Sequence, residues 1–409
     1  MVSFDAARLQ LECIVCGRRY EFDPFLYRCP RCGGLLDVTG YRDPVKLRVP
    51  RRSIEGVWRY REALPEPPDG GVVSLGEGGT PLVSVDGGKA WVKFEGGNPT
   101  GSFKDRGMSV ASSIARWSGA RLTVAASTGN TAASMAAYSA RAGLKPLVVL
   151  PRGGVAPGKL FQAILHGSIV VEVRGGFDRG LSMVLELLER KKGLVYSMNS
   201  VNPVRLEGQK TIAYEIVEDL GDAPDHVIVP VGNAGNISAI WKGFKELHAW
   251  GYTSKLPRMI GVQAEGSAPL VAAWRSQSKK LAPVEKPETI ASAIRIGNPV
   301  NWRKALKALE ESGGLMLSVS DREIIKALKE MARRVGLGVE PSSAAPYAVL
   351  KKLLRAGEIP SDDVVVLVAT GHALKDPGIA SRLDKATTTV SSVEELEELA
   401  EALARVPQG

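Results

Sequence analysis

Asn98-Pro-Thr-Gly-Ser-Phe-Lys104-Asp-Arg106 sets one lysine at a turn that enters a helix. Asn98, Pro99 and Gly101 are turn formers, and Ser102 followed by Asp105 has capping-box spacing, which predicts a helix starting at Ser102. Lys104 then falls in the first turn, where unpaired backbone N–H groups and the positive dipole end disfavour an ammonium ion. A neutral amine there is set to carry a carbonyl cofactor covalently. The alternative is a solvated lysine near a helix start, so the segments around it decide.

Three of them bear on this. The apolar run Leu122–Ala126 reads as a strand that breaks into Ser127-Thr-Gly-Asn-Thr131, with a small-residue helix after it. Hydroxyls and N–H groups converging at a helix start suit a carboxylate, although plain helix capping uses the same residues. Residues 226–231 run into Gly232-Asn-Ala-Gly235-Asn236 and an apolar-periodic helix. Two glycines let backbone N–H groups approach a phosphate, but no Gly-Lys-Ser/Thr follows and the spacing is not a dinucleotide fingerprint. A βα turn without ligand would look the same. The run 364–369 reads as a buried parallel strand ending in Thr370-Gly371-His372. Residues at that end of a strand face a ligand crevice. A threonine hydroxyl is a neutral partner for a pyridine nitrogen, or for a loop carbonyl.

In this order the segments resemble the fold type II family of pyridoxal phosphate enzymes, and within it the threonine synthases. The resemblance also covers Gly76-Glu-Gly-Gly-Thr80-Pro-Leu82, Asn199-Ser-Val-Asn-Pro203, Arg205-Leu-Glu-Gly-Gln-Lys-Thr211, Glu340-Pro-Ser-Ser-Ala344 and Thr370-Gly-His-Ala-Leu-Lys-Asp-Pro377. It implies that Lys104 binds pyridoxal 5'-phosphate covalently and acts as acid and base. Asn130 would meet the ring oxygen, Thr370 the pyridine nitrogen, and Gly232, Asn233, Ala234, Gly235 and Asn236 the cofactor phosphate. Ser127, Thr128 and Thr131 would hold the substrate carboxylate, and Asn199, Ser200 and Arg205 the phosphate of O-phosphohomoserine. Ala373 stands where the family pattern has glycine. The implied reaction is γ-elimination of phosphate followed by β-addition of water, giving L-threonine. Related activities in the same fold are β-replacement on O-phosphoserine and threonine dehydration. Glu340, Ser342 and His372 would border the pocket. The implied architecture is two doubly wound parallel-sheet domains with the cofactor in the cleft, in a homodimer.

All four cysteines lie near the start, as Cys13-x2-Cys16 and Cys29-x2-Cys32 with twelve residues between the pairs. Paired knuckles followed by glycine suit a structural Zn²⁺ held by four thiolates, with disulfides as the alternative. Zinc ribbons also bind nucleic acid, and the chain carries 53 Lys and Arg against 44 Asp and Glu. The ribbon's basic residues alternate with acids, however, which is a solvated surface and argues against a nucleic-acid partner. A net charge of +9 serves an anionic cofactor and substrate equally well.

No apolar run is long enough to span a bilayer and the first residues lack a signal-like core, so no membrane partner and a cytoplasmic location are expected. Strand candidates at 122–126, 146–150, 169–173, 227–231, 259–262 and 364–369 alternate with helical stretches, which argues for parallel α/β sheets. The expected division is a zinc ribbon at 8–40, a linker region at 41–71, a C-terminal helix at 391–409 and, as the resemblance implies, a large catalytic domain at 72–95 and 198–390 with a small mobile domain at 96–197 inserted in it.

Overall fold

In the computed structural model, residues 9–41, 56–85, 88–127, 129–152, 157–174, 177–278, 280–383 and 388–405 are described. They fall into two units, 1–377 and 378–409. Of the expectations above, Thr128, residue 8 of the ribbon and residues 42–55 of the linker region lie outside the described residues.

The first unit opens with β1 (Gln10–Cys13), β2 (Arg19–Glu21) and β3 (Leu36–Thr39), an antiparallel sheet in the order β2-β1-β3. Inside the stretch read as linker, Gly56–Ala63 forms a 3-10 segment whose Trp58 and Tyr60 are fully buried. The indole N–H of Trp58 donates to Ser109 Oγ at 2.8 Å, so this part packs into the body.

β4 (Leu82–Val85) and β5 (Ala90–Phe94) form a hairpin, and α1 (Lys104–Trp117) follows. Then come β6 (Leu122–Ala126), α2 (Asn130–Ala142), β7 (Lys145–Pro151), α3 (Pro157–Leu165), β8 (Ile169–Val173), α4 (Phe177–Arg190) and β9 (Val195–Ser197). Their strands make an all-parallel sheet in the order β8-β7-β6-β9. The chain continues through α5 (Pro203–Leu220), β10 (His226–Pro230), α6 (Gly235–Ala249), β11 (Arg258–Ala264), α7 (Pro269–Arg275), α8 (Trp302–Glu311), β12 (Leu315–Val319), α9 (Asp321–Glu330), α10 (Pro341–Arg355) and β13 (Val365–Ala369). These build a six-stranded sheet in the order β12-β11-β10-β13-β5-β4, parallel except for β4. All six strands expected from the sequence are present, and β10 and β13 are buried at every position, as two-sided burial requires.

Helix α5 packs against both α1 and α6. It comes so close to α1 that a Cβ on Gly208 would lie 2.0 Å from the Arg106 carbonyl oxygen, and one on Gly107 2.4 Å from that of Arg205. Only glycine permits this approach. Beside it lies a buried charge cluster. Arg106 donates to Glu95 and Glu215 at 2.7 to 2.8 Å, and Lys93 pairs with Glu215 at 2.8 Å. The second unit carries α11 (Val393–Ala404), capped at Ser392 by a bond from the Glu395 N–H at 3.2 Å.

Candidate active site

The capping box expected at Ser102 does not form. Helix α1 starts at Lys104 with Phe103 as its cap and no side-chain cap bond. The Asp105 carboxylate is taken by tertiary partners instead. It accepts the Thr100 N–H and Thr100 Oγ1 at 2.6 Å each and Ser134 Oγ at 2.5 Å. Its neighbour Lys104 is half-buried, with Nζ 4.0 Å from the Phe103 ring centroid. Burial, reinforced by the Arg205 guanidinium and opposed by the Glu340 carboxylate, holds the Lys104 amine well below the usual lysine range.

The turn before α1 is joined to the end of β13. Phe103 N–H donates to the Thr370 carbonyl at 3.0 Å and His372 N–H to the Gly101 carbonyl at 2.9 Å, so Lys104 and Thr370 share one frame. Glu340, at the start of α10, connects that frame to α2. Its buried carboxylate accepts Asn130 Nδ2 at 3.0 Å, Ser342 Oγ at 2.8 Å and Thr370 Oγ1 at 3.3 Å. Ser343 Oγ also lies 3.0 Å from Thr370 Oγ1.

Beyond β10, Ala234 adopts a left-handed conformation with φ 63° and the start of α6 has no side-chain cap bond. Asn233 Oδ1 accepts the Val300 N–H at 3.2 Å, while both amide atoms of Asn236 are buried without a partner among the described residues. Gly232 and Gly235 complete this turn, and backbone N–H groups at such an uncapped helix start suit an anion.

The segment between β9 and α5 is held from several sides. Both amide atoms of Asn199 bond the Ala126 backbone, at 3.0 and 3.2 Å, and the Ser200 carbonyl accepts Asn301 Nδ2 at 3.1 Å. Arg205 is 2 % exposed; one Nη donates to the Met198 carbonyl at 3.0 Å, and Nε has no partner among the described residues. Burial pushes its guanidinium down to about 10, so it remains a cation at neutral pH. The Asn199 side chain therefore orders this segment, while Arg205 keeps a free donor.

Ser127 and Thr131 flank the start of α2, where Ser127 Oγ accepts the Gly129 N–H at 3.4 Å. A cleft of about 430 Å³ runs past this point, lined by Asn98, Thr100, Gly129, Asn130, His372 and Lys375 among others. Thus Lys104, Asn130 and Thr370 are linked by hydrogen bonds through Glu340 and the 101–103 turn, and Arg205 lies close enough to bias the lysine electrostatically. The 232–236 turn sits at the end of β10, which is paired with β13.

At the other end of this unit, the four cysteines are free, and their Sγ atoms all lie within 4.8 Å of one another. Two of the separations are 3.5 Å (Cys13 to Cys32) and 3.7 Å (Cys16 to Cys29).

A family model described as pyridoxal-phosphate dependent enzyme matches residues 73–371. The threonine synthase of Methanocaldococcus jannaschii is 51% identical over 383 residues, spanning 91% of this chain and 94% of the relative. The chain belongs to the threonine synthase family of pyridoxal phosphate dependent enzymes. The threonine synthase of Methanosarcina acetivorans is 49% identical, over 90% of this chain and 92% of its own. The crystal structure of Escherichia coli threonine synthase shares the fold with a TM-score of 0.72, at 18% identity and 94% coverage of each chain.

The cofactor of this threonine synthase family suits the residues in place. A lysine amine poised to be neutral, an uncapped helix start with an unpartnered Asn236, and a neutral hydroxyl at the end of β13 match its aldehyde, phosphate and ring nitrogen in chemical type. Sequence reasoning placed Glu340 only at the border of the pocket and missed that its carboxylate joins Asn130 to Thr370. It also missed Lys375, whose Nζ donates to the Thr100 carbonyl at 2.9 Å and bonds Gln162 Oε1. A carboxylate at a helix cap and a lysine in a loop give no periodic signal, so neither could be picked out by pattern.

Proposed function

We infer that the chain converts O-phosphohomoserine and water to L-threonine and phosphate. What carries the reading is the pairing, in a member of the threonine synthase family, of a lysine poised to be neutral with a buried arginine that keeps a free N–H. Lys104 would hold pyridoxal phosphate covalently, with Asn130 and Thr370 at its ring and Gly232, Asn233, Ala234, Gly235 and Asn236 at its phosphate. The bound cofactor supplies an electron sink for bonds broken next to the amino-acid nitrogen.

Lys104, low in proton affinity, takes and returns protons at the substrate's α- and β-carbons. The start of α2, with Ser127, Thr128 and Thr131, holds the substrate carboxylate. Arg205 and Ser200 hold its phosphate, the guanidinium matching a tetrahedral oxyanion, and Asn199 keeps that segment on the end of β6. A neutral Thr370 hydroxyl faces the ring nitrogen without adding charge there, and Glu340 keeps Thr370 and Asn130 in register.

Four thiolates on one Zn²⁺ complete the reading at the N-terminus. Zn–S bonds of about 2.3 Å in a tetrahedron put sulfurs about 3.8 Å apart, which the two separations above approach. Such a site is closed, so its role is structural. The division at 8–40, 41–71, 72–95 with 198–390, 96–197 and 391–409 fits the separate sheets, although α1 is seated on α5. The family resemblance also supports a homodimer, checked by sedimentation velocity. Free cysteines suit a reducing cytoplasm, and no helix among the described residues is long and apolar enough to cross a membrane.

The deciding assay compares phosphate release from O-phosphohomoserine and O-phosphoserine, with the amino-acid products identified. Threonine from the first is expected. Turnover of O-phosphoserine or dehydration of free threonine in its place would replace this reading.

A further inference from the structure

We propose that Tyr27, in the ribbon, is a positioning residue for the substrate's phosphate end. The inference rests on the reading of Ser200 and Arg205 as that end. The Tyr27 hydroxyl accepts the Ser197 N–H at 3.0 Å, and the Tyr27 and Phe25 rings meet Tyr196 edge-on at centroid distances of 6.1 and 5.8 Å. Ser197 closes β9 and leads directly into the segment that ends at Arg205. Its carbonyl accepts Asn202 Nδ2 at 2.8 Å, Asn202 caps α5 through the Val204 N–H at 3.0 Å, and the next carbonyl, of Met198, accepts Arg205.

A chain of hydrogen bonds thus runs from the ribbon through Ser197 to Asn202 and the start of α5. Tyr27 enters it at the free edge of β9, while the other edge pairs with β6, whose Ala126 is held by Asn199. A buried N–H deprived of its acceptor shifts its peptide to find another, and Ser197 leads directly into Met198, whose N–H is held by the Val124 carbonyl at 2.8 Å and whose carbonyl accepts Arg205. None of the bonds named here ends on Lys104, Thr370 or the 232–236 turn, although Arg205 biases Lys104 electrostatically and Ser200 is joined to Asn233 through Asn301. The ribbon therefore acts first on the substrate's anionic end.

The test uses the holoenzyme, so that the cofactor fills its own phosphate cradle, and reads inorganic phosphate binding by calorimetry beside the kinetic constants. Tyr27→Phe keeps the ring and removes one hydrogen bond. It should weaken phosphate binding and raise KM roughly two- to tenfold, with kcat and the cofactor's visible absorption unchanged. Phe25→Leu, which loosens the same packing without touching a hydrogen bond, should move phosphate binding the same way. Arg205→Ala reports on the underlying reading and should abolish phosphate binding. If Arg205→Ala loses phosphate while Tyr27→Phe and Phe25→Leu bind it as the parent does, the ribbon has no positioning role and the phosphate reading stands. If Arg205→Ala also binds as the parent does, the phosphate end lies elsewhere and both fall. A fall in kcat or a changed spectrum in Tyr27→Phe would show a general disturbance and overturn the inference.

Discussion

Lys104 and Arg205 are two cations in one site, and their neighbours give them opposite behaviour. Burial and Arg205 drive the lysine toward its neutral form, while Arg205, pushed down only to about 10, keeps its charge at neutral pH. Lys104→Ala should abolish turnover and the visible absorption of bound cofactor together; Lys104→Arg, which has no neutral amine, should do no better. For the phospho-substrate, KM should be flat between about pH 7 and 9. It should rise below about pH 6, where a phosphate monoester gains its second proton and loses charge. A KM that climbs from pH 7 to 9 instead would mean that a weaker base than Arg205 reads the phosphate. The lysine itself was legible from its turn and helix start. The cause of its low proton affinity was not, because the burial is tertiary and Arg205 comes from a segment 101 positions further along.

At the scale of elements, the strands buried on both faces were legible because such burial writes them as unbroken apolar runs, as in Val365–Ala369. β1 to β3, β4, β5, β9 and β12 were not, being short or half-exposed, with little periodicity to read. The start of α1 was misplaced because Asp105, a natural capping residue, is claimed by Thr100 and Ser134. Tertiary partners outrank a local motif when they bury it.

The charge cluster that ties β5, α1 and α5 gives a prediction of its own. Arg106 and Lys93, with Arg59, hold the Glu215 carboxyl well below its usual range against the cost of burial. A folded value below the unfolded one contributes stability that is present above about pH 4.5 and lost as pH falls below it. Apoprotein melts should therefore fall steeply below pH 4.5, and Glu215→Gln should flatten that slope at the cost of lower stability at pH 7. Arg106→Leu leaves two buried carboxylates short of a partner and should cost about 3 to 5 kcal/mol in denaturant unfolding. A loss under 1 kcal/mol would mean that water reaches the cluster.

For the molecule as a whole, the ribbon is fastened to the body by more than Tyr27. Lys304 donates to the Leu36 carbonyl at 2.8 Å and pairs with Asp37 at 2.5 Å, and Lys242 donates to the Val38 carbonyl at 2.6 Å. The cysteine spacing marked out the N-terminal segment, which the structure keeps within the same unit as the body. Its docking could not be read, since both lysines sit in helices where they pass for solvated surface. With Zn²⁺ on the four cysteines, as proposed above, a chelator should raise hydrogen exchange at 10–39 and at 196–202, with cofactor absorption retained. Early bleaching of the cofactor would place the metal nearer the chemistry than the geometry does.

The glycine contact between α1 and α5 reaches further than packing. Two backbones that touch at Gly107 and Gly208 leave no space to slide closer, so the separation of Lys104 on the first and Arg205 on the second is set by a backbone contact. The fold thereby holds a gauge of molecular length. On the reading of Arg205 proposed above, a phosphate carried one carbon too near the amino group would have to stretch to reach that arginine, and homologous substrates would be told apart by reach before any chemistry began.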